Sequence, residues 1–179
     1  MKDKNKKILK KIAKESIKKA IIGEGVKLNF ENIDSELNKK RGIFVTLYKN
    51  NRLRGCIGKV KENKKPIYKS VSDMAISAAL KDNRFLPVTL EEIDDLNIQI
   101  SILSSLKKID KPKKEIKLGK HGVYIEKAFN TAVYLPEVAK ETNWSLNDYM
   151  SNLCKKAGLE ERAWQKGDIN IYIFTTNTI

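Results

Sequence analysis

Residues 42–58 read Gly42-Ile43-Phe44-Val45-Thr46-Leu47-Tyr48-Lys49-Asn50-Asn51-Arg52-Leu53-Arg54-Gly55-Cys56-Ile57-Gly58, and this run decides the fold class. Its first half is β-branched and aromatic and is apolar on both faces, which predicts a central strand over Gly42–Lys49. Asn50-Asn51 tolerates the left-handed backbone that a tight hairpin needs, so the chain is expected to return as a second strand over Arg52–Ile57. A hairpin requires antiparallel pairing.

The flanking sequence extends that reading. Upstream, Ile8, Ile12, Ile17 and Ile21 recur with Leu9, Ala13 and Ala20 at three- and four-residue spacings. They predict an amphipathic helix with a lysine face over residues 3–22, stopped by Gly23 and Gly25. Downstream, Pro66 opens a helix to about Asp82, and Thr89-Leu90-Glu91-Glu92 has the form of a capping box. Ile98, Ile100 and Ile102 alternate with Gln99 and Ser101 as a strand. Residues 107–117, rich in lysine and containing Pro112, read as a surface loop. Gly122–Glu126 and Ala132–Leu135 form a second hairpin, broken at Pro136. Ser145 caps a helix through Cys154 to Gly158, and Ile169–Thr175 alternates as the last strand. Strands that come as hairpins predict an α+β fold, with an antiparallel or mixed sheet flanked by helices. The expected organisation is a single domain over residues 1–179, with residues 1–25 as an N-terminal helix packed on it.

Composition narrows the function classes. The 179 residues carry a formal charge of +14, from 36 Lys+Arg against 22 Asp+Glu. That field attracts polyanions, so an anionic small molecule or a nucleic acid is an expected partner. The charge is mostly lysine spread along the chain, a pattern that also serves solubility. Two cysteines nearly a hundred residues apart form no disulfide framework and suit a reducing compartment. No stretch approaches a membrane span, and the lysine-rich N-terminus lacks an apolar signal region, so a cytoplasmic location without membrane contact is expected. There is no Rossmann or Walker glycine loop. Cys56, His121 and Cys154 lack metal-ligand spacing, and no metal or other cofactor is expected.

The chemistry-bearing residues gather at the second strand of the hairpin. Strict alternation puts Arg52, Arg54 and Cys56 on one face and Leu53 and Ile57 on the other. Guanidinium groups beside a thiol favour its thiolate, which makes Cys56 a candidate nucleophile. Gly55 and Gly58 would let a ligand or another backbone come close, and Arg84 could join an anion site with Arg52 and Arg54. His121, the single histidine, is the candidate base should the fold bring it to Cys56. The structural alternative is a small buried cysteine, a bulge at the glycines, and Asp82 and Arg84 pairing with each other at a turn. Glu91, Glu92, Asp94 and Asp95 read as a solvated acidic face, and Cys154 as core packing.

Leu53-Arg54-Gly55-Cys56-Ile57-Gly58 resembles the signature hexapeptide of the AMMECR-type domain family. Other segments agree in order and spacing: residues 42–47, Asp82-Asn83-Arg84-Phe85-Leu86-Pro87, Gly119-Lys120-His121-Gly122, Leu135-Pro136-Glu137-Val138, and Lys156-Ala157-Gly158-Leu159 ahead of Trp164. The resemblance implies an α+β fold with a larger and a smaller lobe and a cleft near the hexapeptide. It implies no particular reaction. Prokaryotic members are similar to one component of a three-gene grouping that includes a Memo-like protein and a radical S-adenosylmethionine protein, which makes such pathway proteins expected partners. Gln99 stands where the family often has Glu, and Glu137 where it often has Gln. The functional expectation is an enzyme, or an accessory subunit of one, binding an anionic substrate at Arg54 and Cys56. The alternatives are a nucleic-acid or nucleotide binding module and a protein-interaction component.

Overall fold

In the computed structural model, which describes residues 1–26, 33–62 and 64–179, Asn50 and Asn51 have φ of 50° and 59°. Positive φ at both central residues gives the two-residue turn whose twist matches flanking strands. The turn joins β1 (Ile43–Lys49) to β2 (Arg52–Lys59), paired antiparallel from Lys49↔Arg52 to Ile43↔Lys59. The chain divides into two units, Met1–Leu103 with Asn177–Ile179, and Ser104–Thr176.

In the first unit, α1 (Asp3–Ile21) buries Leu9, Ile12, Ala13 and Ile17, the stripe set by its apolar spacing. The helix stops where Gly23 turns left-handed at φ 75°. α2 (Ile67–Leu80) follows Pro66 and buries Ile67, Val71, Met74, Ala75 and Ala78. Ser16 and Ser72, both buried, satisfy each other across the two helices at 2.7 Å. β3 (Leu96–Leu103) pairs antiparallel with β1, which leaves β1 between β2 and β3. Ile43, Val45 and Leu47 of β1 and Ile98, Ile100 and Ile102 of β3 point into one core with α1 and α2. Burying each such side chain is worth roughly 1.5–3 kcal/mol. The opposite face of the sheet carries Phe44, Thr46, Tyr48, Asn97, Gln99 and Ser101.

The second unit has its own core and its own four-stranded sheet. β4 (Lys107–Ile109) and a short α3 (Pro112–Glu115) occupy the segment expected as a surface loop. Ile109 and Ile116 are buried and anchor that segment, whose exposed lysines hide the pattern in sequence. β5 (Gly122–Lys127) and β6 (Asn130–Tyr134) form the second hairpin. Pro136 does more than end a strand: it is the first residue of α4 (Pro136–Thr142), where its missing N–H costs nothing. α5 (Leu146–Lys156) is capped by Ser145 Oγ, which accepts the Asp148 N–H at 3.2 Å. Its Tyr149, Met150, Leu153 and Cys154 are fully buried. β7 (Asn170–Phe174) pairs with β4 and β5. The last strand, β8 (Thr176–Thr178), joins the first unit's sheet beside β3. Among the described residues no helix is long and apolar enough to cross a membrane.

Candidate functional site

The register of β2 overturns the simple alternation. Leu47 pairs with Gly55, but Tyr48 pairs with Leu53, so Arg54 is an extra residue in a β-bulge. A bulge shifts the alternation by one. Arg52, opposite Lys49, lies on the face of Ile43, Val45 and Leu47, whereas Leu53, Cys56 and Gly58 lie with Tyr48, Thr46 and Phe44. Arg52 and Cys56 therefore face opposite sides of the sheet, and Leu53 shares the side of Cys56.

The bulged Arg54 is committed to its own chain. Its guanidinium donates to both carboxylate oxygens of Glu92, Nε to Oε1 at 3.1 Å and Nη2 to Oε2 at 2.8 Å. It also donates to the carbonyls of Leu86 and Pro87, at 2.8 and 3.3 Å. Glu92 additionally accepts from Lys49 Nζ at 3.0 Å and from the Thr89 N–H at 3.1 Å, the returning half of the predicted capping box. These donors, Arg54 foremost, hold the Glu92 carboxyl down at about 2. Glu92 is thus no solvated surface acid: its side chain is 16% exposed and ties residues 86–92 to the hairpin.

Arg84 is occupied in the same way. It grips Asp82 through Nε–Oδ1 at 2.9 Å and Nη2–Oδ2 at 2.6 Å. Asp82 Oδ2 accepts the Cys56 N–H at 2.8 Å, and Arg84 Nη2 donates to the Cys56 carbonyl at 3.3 Å. β2 is an edge strand, and this carboxylate–guanidinium couple satisfies backbone groups on its open side. The Arg84 guanidinium and then the Cys56 N–H keep the buried Asp82 carboxyl far below the usual carboxylate range.

The two glycines of the motif are required by close approach. A Cβ on Gly55 would sit 2.2 Å from the Ala78 carbonyl oxygen of α2, and one on Gly58 would sit 2.3 Å from the Phe44 ring. The bulge, the close packing and the Asp82–Arg84 pairing are the structural features that the sequence offered as alternatives.

What remains for chemistry is the side of the sheet away from the helices. There Cys56, half-buried, places Sγ 3.2 Å from Thr46 Oγ1. Thr46 is paired on its other side with Gln99, so Cys56, Thr46 and Gln99 form one cross-strand row. Neither Thr46 nor Gln99 is chemically conspicuous in sequence; the register of three strands is the signal that finds them. Arg52 is exposed, makes no ion pair among the described residues, and lines a depression of about 470 Å³ with Lys49, Asn50, Leu53 and Arg54. His121 belongs to the second unit and Cys56 to the first. His121 Nδ1 accepts the Lys117 N–H at 3.2 Å, and burial with the Lys120 ammonium lowers the imidazole's affinity for a proton. Cys154, 0% exposed, is core packing. Among the described residues no group of three His, Cys, Asp or Glu side chains is gathered closely enough to hold a metal ion.

Fold and motif together define an α+β protein with two antiparallel sheets and a bulged, glycine-flanked cysteine strand. The chain belongs to the AMMECR1 family, whose model matches residues 10–179. A protein of Methanocaldococcus jannaschii is 41% identical over 157 residues, covering 84% of this chain and 78% of that protein. A Methanosarcina acetivorans protein is 34% identical over 171 residues, 92% of this chain and 85% of the relative. The crystal structure of an uncharacterized protein from Pyrococcus horikoshii superposes with a TM-score of 0.90 at 32% identity, covering 99% of this chain and 92% of the other. The similarity thus extends over both sheets.

Proposed function

We propose that this chain is an enzyme, or an accessory subunit of one, that binds a polar ligand on the sheet face carrying Cys56, with the thiol as its reactive group. The observation that carries this reading is the 3.2 Å contact between Cys56 Sγ and Thr46 Oγ1 on a half-buried residue, in one row with Gln99. A hydroxyl at that distance can donate to a thiolate, and the neighbouring amide offers both a donor and an acceptor to a ligand. The net charge of +14 favours an anionic ligand. Arg54 and Arg84 serve by positioning: one holds residues 86–92 and the other holds the backbone of Cys56.

Alkylation of the folded protein, read by peptide mass mapping, tests the proposal. Cys154 provides the internal control because it is fully buried. Cys56 should react with iodoacetamide at least tenfold faster than Cys154, and Thr46→Val should change the rate at Cys56 alone. If the two cysteines are modified at the same slow rate until the protein unfolds, Cys56 is inaccessible and the proposal fails.

A further inference from the structure

The exposed side of α1 is ordered more strictly than a lysine-rich composition requires. Lys4, Lys7, Lys11, Lys14 and Lys18 follow one another at spacings of three, four, three and four residues. At 1.5 Å per residue this is a straight row about 21 Å long, lying opposite the buried Leu9, Ile12 and Ser16. Lys14 pairs with Asp94 at 2.9 Å. Lys4, Lys7, Lys11 and Lys18 are exposed and make no ion pair among the described residues. The helix has eight lysines against two acidic residues, of which Asp3 is held by Lys6 and Glu15 borders the row. Like charges three and four residues apart destabilise a helix, and cations in its first turns oppose the macrodipole. The row therefore works against the helix that displays it.

We infer that this row is a binding surface for the phosphate backbone of double-stranded nucleic acid. A partner that relieves the repulsion must carry regularly spaced negative charge over some 20 Å, as a duplex does. An anionic membrane is a poorer fit, because α1 has already placed its apolar side in the core: Leu9, Ile12 and Ile17 are at most 1% exposed. Single strands are a poorer fit because α1 contains no aromatic side chain on which bases could stack. Contact through lysine ammonium groups alone predicts binding without base sequence preference. The surface is separate from the Cys56 row, which lies on the sheet face away from α1.

Fluorescence anisotropy with a 20-base-pair DNA duplex across a salt series tests it. Four released counterions predict a slope of log K against log salt of about −3.6. The variant K4Q/K7Q/K11Q/K18Q should lose at least tenfold in affinity at low salt and most of that slope. A control with the same loss of charge in the second unit, K111Q/K113Q/K114Q/K117Q, should lose less than threefold, and Cys56→Ser should bind as wild type. Circular dichroism should show the α1 variant as helical as wild type, since its repulsion is removed. Equal losses in both lysine variants would mean attraction by net charge only and overturn the inference. Absence of duplex binding at low salt, or tighter binding to phosphatidylserine vesicles than to the duplex, would overturn it as well.

Discussion

Gly55 and Gly58 show how a short motif can be demanded by packing before any ligand is considered. Gly55→Ala would drive a methyl into the Ala78 carbonyl, a backbone atom that moves only if α2 moves. We expect a loss of about 3 kcal/mol in urea unfolding, at the upper end of overpacking effects. Gly25→Ala, where a Cβ meets nothing within 4 Å, should change stability by less than about 0.5 kcal/mol. Glu92 makes a second prediction at this scale. Its carboxyl is held at about 2, below the value of an unfolded glutamate, so its contribution is complete above the unfolded pKa. It is lost as pH falls from about 4.5 towards 2. Glu92→Gln should cost on the order of 2 kcal/mol at pH 7 and should flatten the fall in stability across that acid window, as measured by unfolding at a series of pH values. His121 titrates with the opposite charge logic. Its proton affinity is lowered in the fold, so stability falls as pH drops below about 6.5, the ordinary imidazole value. An NMR titration should place its midpoint below that value; a midpoint above it would contradict the burial and the accepted Lys117 N–H.

At the level of elements, the first hairpin combines a turn legible in sequence with a bulge that is not. Asn50 and Asn51 both occupy left-handed backbone, so Asn51→Gly should stabilise the protein by a few tenths of a kcal/mol, whereas Asn51→Val should cost about 1–2 kcal/mol. Thermal unfolding of the two variants checks the sign of each. The bulge at Arg54 arises because the guanidinium finds Glu92 and two loop carbonyls, partners some 30 to 40 residues away in the chain. Local alternation therefore places Arg52, Arg54 and Cys56 together, and the tertiary partners of Arg54 separate them. Residues 107–117 differ from expectation for a related reason. Their apolar anchors, Ile109 and Ile116, are too few to show a period, and the strand becomes defined only through pairing with β7.

Across the whole molecule, a charge of +14 on 179 residues means net self-repulsion in the folded state. Raising sodium chloride from 0.05 to 0.5 M should raise the midpoint of thermal unfolding by a few degrees, because the Debye length shrinks below the separation of most exposed lysines. A midpoint that falls with salt would show that surface ion pairs such as Lys14–Asp94 outweigh the repulsion. Read alone, the sequence determined the hairpins, the amphipathic stripe of α1, the cap of α5 and the family motif, since each depends on neighbours within a few residues. It did not determine that there are two sheets, nor that Glu92 holds Arg54, nor that Thr46 and Gln99 continue one cross-strand row from Cys56. Those depend on strand order and register, which are settled when distant segments compete to bury their apolar faces and to satisfy each charge and backbone group. For that reason Arg54 and Arg84, conspicuous by type, are held by carboxylates of their own chain, and Cys56 shares its cross-strand row with two neutral side chains that only the sheet brings together.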